Sequence, residues 1–202
     1  MRLPGFLLSL GLAGLVVALA APAPAAVAAE DAASFIARTA DAVLALARDK
    51  SLSQEQLKEQ LHVIADRDFD APTIARFVLG RYWRTASDAE RQQFVQAFED
   101  YMVQVYASRF RQYSGASFKV VGQREDGNST MVTSEINQQS ADQPARVIWQ
   151  VAKTPSGYKI TDVSIEGISQ ALTYRQEFSS VIEQHGGQVS ALTEQLRQKA
   201  SG

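Results

Sequence analysis

Tyr158 to Phe178 reads YKITDVSIEGISQALTYRQEF, and this stretch decides the architecture. It opens as a strand, with Tyr158 and Ile160 on one face, and breaks at Gly167. It then continues with Leu172, Arg175 and Phe178 at helical spacing. A strand that swings directly into a closing helix puts a sheet under a helical cover. Val163 and Ile165 have the opposite parity to Tyr158 and Ile160. Either a bulge near Asp162 resets the phase, or both faces of the strand are partly buried. The bulge is the favoured reading; it bends the sheet, and a bent sheet under helices can enclose a cavity.

Working outward, the helix that begins at Gln170 reaches Gln184, with Leu172, Phe178, Val181 and Ile182 inward. Gly186-Gly187 breaks it, and Val189, Leu192 and Leu196 mark a last short helix. Upstream the period is two. Phe118, Val120 and Gly122 alternate in a first strand, and Asp126-Gly127-Asn128 is a strong hairpin turn. Asn128-Ser-Thr130 also matches a glycosylation sequon, a cheap match in a turn. Val132, Ser134 and Ile136 alternate in a second strand, and Val147, Trp149 and Val151 in a third. Gln138 to Gln143 is a polar loop between them, and Thr154-Pro-Ser-Gly157 turns into the fourth strand.

The clearest helix precedes the sheet. Ser87-Asp-Ala-Glu90 is a capping box with acids in the first turn. Phe94, Ala97, Phe98, Tyr101, Met102, Val105, Tyr106 and Phe110 then recur at three and four, and the helix ends near Tyr113. Such a stripe is ordinarily a core face; one this rich in aromatics can also line an apolar cavity instead of filling it. Two earlier helices are expected. Ala29 to Arg48 carries Phe35, Ile36, Val43, Leu44 and Leu46, and Ser51 to Asp66 carries a Ser53–Gln56 cap with Leu57, Leu61 and Ile64. Ile74, Phe77, Val78 and Leu79 form a compact apolar segment closed by Gly80, with Tyr82-Trp83 after it.

Composition narrows the chemistry. The chain has 202 residues, 46% hydrophobic and 21% charged, enough for one domain with a real core. It has no cysteine, which excludes disulfides, thiol catalysis and thiolate metal sites. The formal charge of -2 points away from nucleic acid as a partner. Arg2 is the only charge before Glu30, Leu3 to Ala20 is apolar, and Ala26-Val27-Ala28 fits a small-x-small cleavage site. Residues 1–28 are therefore expected to be a signal peptide and 29–202 a single exported domain, the alternative being a retained anchor. Cleavage would leave 19 basic against 22 acidic residues.

No catalytic or metal constellation emerges. His62 and His185 fall in different helices without a carboxylate at ligand spacing. Asp66, Asp68 and Asp70 begin like a calcium loop, but Ala71 and Phe77 stand where it needs a glycine and an acid. Gly167-Ile-Ser-Gln170 is not a nucleophile elbow. Asp162 and Glu166 are the one candidate carboxylate pair. Three readings stand: a carrier of an apolar ligand held between helices and sheet, a cone-shaped pocket enzyme, and an adaptor that binds only proteins. The acid-poor aromatic stripe favours the carrier.

Several motifs also occur in a fixed order: Phe69-Asp70, Val78-Leu79-Gly80-x-x-Trp83, Phe94 to Phe98, Tyr106, Tyr113-x-Gly115, Asp162-Val163, Glu166-Gly-Ile-Ser169 and Arg175-x-x-Phe178. In this order and spacing, from about Phe69 to Leu196, the chain resembles the MlaC/toluene-tolerance family of periplasmic phospholipid-binding proteins. The run Arg81-Tyr-Trp-Arg84 and the ending through Gly186-Gly187 are similar to the branch associated with hopanoid biosynthesis. The resemblance implies an α+β fold, with helices over a curved four-stranded antiparallel sheet enclosing an apolar lipid pocket. It implies no enzymatic activity, no cofactor and no metal. The implied cargo is a phospholipid or a hopanoid, carried by a monomer between an inner-membrane lipid ABC transporter complex and an outer-membrane lipoprotein complex. The expected pocket residues are Phe77, Trp83, Phe94, Phe98, Tyr101, Met102, Val105, Tyr106, Val147, Trp149, Val151, Val163, Ile165, Ile168, Leu172 and Phe178. Arg76, Arg81, Arg84 and Arg175 are expected to steer docking onto acidic partner surfaces, the alternative being solvated charges on helix faces.

Overall fold

The computed structural model describes residues 30–138 and 141–201. The expected signal peptide, residues 1–28, lies outside the described residues, as do Gln139 and Ser140 of the polar loop. Helices α1 (Ala32–Arg48), α2 (Gln54–Asp68), α3 (Ala71–Leu79), α4 (Tyr82–Thr85) and α5 (Asp88–Arg109) come first, and a 3-10 turn (Phe110–Tyr113) ends α5. Strands β1 (Ser117–Asp126), β2 (Ser129–Asn137), β3 (Ala145–Thr154), β4 (Gly157–Ile165) and β5 (Ile168–Ser169) follow, then α6 (Gln170–Gln184) and α7 (Val189–Ala200).

The local signals act where the chain chemistry places them. Ser53 with Gln56, and Ser87 with Glu90, form complete reciprocal capping boxes at α2 and α5. Asp70 caps α3 through the Thr73 amide, with Pro72 in the first turn. Gly80 ends α3 at φ 54, and a Cβ there would also meet Arg175 Nε at 3.0 Å, so both backbone and space demand glycine.

The sheet is an antiparallel meander in the order β1-β2-β3-β4-β5. It has five strands rather than the expected four. Ile168 and Ser169 pair back onto Ile165 and Ser164 through a tight turn at Glu166-Gly167, whose two residues both take positive φ. The expected bulge is present. Gln150 pairs with Asp162 but Val151 with Ile160, so Thr161 is the unpaired extra residue. Tyr158 and Ile160 thus share a face with Val163, and all three pack with Phe35 and Ile36 of α1. A second bulge, at Val121 of β1, bends the opposite edge.

Three apolar clusters hold the helices. Phe35, Ile36, Val132, Val151 and Ile160 join α1 to the sheet. Leu57, Leu61, Val103, Ala107 and Phe110 join α2 to α5 and the turn after it. Val78, Leu79, Phe94, Phe98, Phe178, Ile182, Leu192 and Leu196 join α3, α5, α6 and α7. In this last cluster Phe94 and Phe98 stack at 5.9 Å, and both meet the Phe178 ring at near right angles, at 6.0 and 5.9 Å.

Asp68, which ends α2, is fully buried. Its carboxylate accepts from Thr39 Oγ1 at 2.9 Å and from Arg67 Nη2 at 2.6 Å, with Arg38 Nη1 at 3.6 Å. Burial works to raise its pKa, but the bonds from Arg67 and Thr39 outweigh it and hold the group below the usual carboxylate value. A depressed folded pKa supplies stability that is present above about pH 4 and lost as the pH falls through the folded value. Asp68→Ala is expected to cost about 1–3 kcal/mol at neutral pH, because it strands a buried hydroxyl. In urea titrations at pH 7 and pH 3, the variant should show a smaller loss on acidification than the wild type.

Candidate functional site

A cavity of about 330 Å³ lies between the three clusters, within the usual range for ligand pockets. Its helical wall is built by Thr39, Ala40, Val43 and Leu44 of α1, by Leu61, Ile64 and Ala65 of α2, and by Ile74 of α3. The long helix contributes Phe98, Met102, Val103 and Tyr106, and α6 contributes Ala171 and Tyr174. The sheet closes the other side with Phe118, Ile136, Val147, Trp149, Val163 and Ile165. Nearly all of these groups present carbon, so the space favours an apolar occupant.

The wall is held rigidly. Trp149 Nε1 donates to the buried Ser134 Oγ at 2.8 Å, and its ring meets Phe118 edge-on at 6.2 Å. Asp162, beside the bulge, accepts from the Val163 amide at 2.8 Å, the Ser169 hydroxyl at 2.6 Å and the Ala171 amide at 3.0 Å. One carboxylate therefore ties β4 to the first turn of α6, where a negative charge also suits the helix dipole. Three donors thus hold the Asp162 carboxylate in place beside the bulge. The Glu166 carboxylate accepts from the Arg146 amide and holds the β4–β5 turn against β3.

Polar groups on the wall are few. Thr39 donates to Asp68, and Gln170 Nε2 donates to the Ile168 carbonyl. Glu99 lines both the cavity and a shallow, open groove of about 310 Å³ beside Asp66 and Lys159. Burial, then Asp66 and Asp100, push its carboxyl up. No group of three or more histidines or acids gathers in metal-holding geometry among the described residues.

Of the sixteen expected pocket residues, Phe98, Met102, Tyr106, Val147, Trp149, Val163 and Ile165 come together on the wall. Phe94, Val151 and Phe178 fill the surrounding cores instead, at 0%, 0% and 4% exposure. Tyr101 packs on Tyr174 from the α7 side, and Val105 also lies off the wall. Trp83 is bound to the start of α5, its carbonyl accepting from Arg91 Nε at 2.8 Å under a cation–π contact. Leu172, expected inward, is 47% exposed, because the inward position at the start of α6 belongs to Ala171. Ile168 and Phe77 are exposed as well. The α1 and α2 residues were missed: a face that walls a cavity has the same period as one that fills a core.

The four arginines differ in their partners. Arg175 lies over the Phe77 ring at 5.0 Å and against Gly80, a clamp between α6 and α3. Arg81 pairs with Glu183 and covers the Tyr82 ring at 4.9 Å. Arg76 and Arg84 are exposed.

The family model described as "MlaC protein" matches residues 37–198. The chain belongs to the MlaC family. A curated relative, the intermembrane phospholipid transport system binding protein MlaC of Haemophilus influenzae, is 22% identical over 128 residues. That match spans 61% of this chain and 59% of the relative, so less than two thirds of the relative's length is covered. Among solved structures, the phospholipid-binding protein from Ralstonia solanacearum, in complex with a phospholipid, superposes with a TM-score of 0.74. It is 23% identical, and the match covers 85% of this chain and 98% of that one.

A charge on the wall tests whether the cavity receives ligands. Met102→Glu is expected to reduce uptake of an apolar fluorescent probe at least tenfold, because an unpaired carboxylate in apolar surroundings costs several kcal/mol. Met102 is only half-buried, so its melting temperature should stay near the wild-type value. Val147→Glu, at a position 3% exposed, should lose the probe and also melt earlier.

Proposed function

We propose that this protein is a periplasmic lipid carrier, not an enzyme, that holds the acyl chains of a phospholipid in the cavity between α1, α5 and the sheet. The observation that carries this reading is the apolar cavity itself, enclosed by a fold that matches the MlaC family over residues 37–198. The names of the two relatives, one a phospholipid transport binding protein and one solved with a phospholipid, support the same cargo. Each methylene taken from water contributes about 0.8 kcal/mol, so ten enclosed methylenes contribute about 8 kcal/mol toward solubilising the lipid. The described residues contain no helix long and apolar enough to cross a membrane.

The carrier exchanges its lipid with an inner-membrane ABC transporter complex and an outer-membrane lipoprotein complex. Native mass spectrometry of protein purified from a Gram-negative host, followed by lipid extraction, tests the cargo. The expected species exceeds the sequence mass by one lipid, and extraction identifies a phospholipid. A hopanoid in its place would redirect the cargo. A protein of bare mass that takes up no added lipid would end the carrier reading.

Docking is assigned to Arg76 and Arg84, the two arginines of the group that make no ion pair among the described residues and are exposed. Exposed charges of this kind set association rates and are screened by salt. An Arg76→Glu, Arg84→Glu double variant should transfer lipid more slowly than wild type to partner-containing membranes at low salt. The difference should shrink as salt rises, with bound lipid unchanged. Equal transfer rates at every salt concentration would remove the arginines from docking.

A further inference from the structure

The apolar wall carries three phenol hydroxyls that no group among the described residues answers. Tyr106 of α5, Tyr113 of the 3-10 turn and Tyr174 of α6 all line the cavity. Among the described residues, the only tyrosine hydroxyl in a hydrogen bond is that of Tyr82. The three are not sealed away. Tyr106 lies within the fold yet is 46% exposed, with its ring on the cavity wall. The Tyr174 ring is also held in place. It is fixed by Phe178 at 5.5 Å, Phe98 at 6.0 Å and Tyr101 at 6.4 Å.

The chemistry of this cluster is that of a donor. Burial pushes the Tyr106 hydroxyl up, and Tyr113 and Asp162 add to it; burial does the same to Tyr174, with Tyr106 and Tyr101 adding. Both therefore stay protonated and can donate at any physiological pH. Asp162, on the same wall, carries a carboxylate already occupied by three donors. Its charge disfavours an anionic phosphate beside it, whereas a neutral acceptor meets no such repulsion. A phospholipid has neutral acceptors where its acyl chains begin: the ester carbonyls.

Resting on the carrier reading, we propose that Tyr106, Tyr113 and Tyr174 recognise the ester carbonyls of a diacyl glycerolipid and make the cavity selective for ester-linked over ether-linked chains. A donor that the bound lipid shuts off from water and that finds no carbonyl on an ether-linked chain weakens binding, which is how a polar seat in an apolar pocket discriminates.

The test is a competition between dioleoyl phosphatidylglycerol and its dialkyl ether analogue, with the same headgroup and chain length, read as occupancy by native mass spectrometry. Wild type is expected to favour the diester by about tenfold, a contribution of about one neutral hydrogen bond. The Tyr106→Phe, Tyr113→Phe, Tyr174→Phe triple variant should bind both lipids without preference. The three single variants, each lacking one oxygen, give the same readout should the triple variant fold poorly. A melting curve alone would follow a packing role; the ester-to-ether ratio follows recognition. Equal uptake of both lipids by wild type, or a preference that survives in the variants, overturns this proposal alone. Uptake of neither lipid overturns the carrier reading, and this proposal with it.

Discussion

Thr161 has no partner across the ladder between β3 and β4, and the rest of the molecule is arranged around that extra residue. Without it, a strand that turns Tyr158 and Ile160 toward α1 would send Val163 and Ile165 to the opposite face. With it, the first half of β4 packs beneath α1 and the second half walls a cavity. The same irregularity places Asp162 where it reaches the Ser169 hydroxyl and the Ala171 amide. A single carboxylate thereby fixes the angle at which α6 leaves the sheet. The space between α6, α5 and β4 follows from that angle.

The long helix solves a related problem. A helix serving one core has one apolar stripe, yet α5 contributes side chains to two separate cores. Phe94, Ala97 and Phe98 face α6 and α7, whereas Val103, Ala107 and Phe110 face α1 and α2. Met102 and Tyr106 project between these two contacts, into the space that neither cluster fills. The cavity is thus what remains when one helix is shared between two cores and a bent sheet spans the gap.

Charge plays a smaller and mostly structural part. Arg67, Thr39 and Arg38 compensate the buried Asp68, Arg91 binds Trp83 to the start of α5, and Arg175 joins α6 to α3 over Phe77. Exposed basic side chains look alike in a sequence, whether they clamp two helices or face solvent. Only the position of Gly80 beneath Arg175 distinguishes the clamp.

Local chemistry determined much of this protein from the sequence alone. The two capping boxes, the Gly80 terminus, the Asp126-Gly127 hairpin and the phase slip near Asp162 are each encoded within a few residues, and each appears where it was read. The MlaC family was legible in the ordered motifs from Phe69 onward partly for the same reason: several of them mark turns, caps and the bulge. The two-residue β5 was not, because its pairing depends on a turn folding back onto β4. Nor was the identity of the wall. Phe94 and Phe98 are one helical turn apart and chemically identical, yet Phe94 is core and Phe98 also borders the cavity. Helical period assigns a residue to a face; whether that face meets another side chain or open space depends on elements far away in the chain. Only the tertiary structure decided that Leu172 points out and Ala171 in, and that three tyrosines and the α1 residues share one cavity.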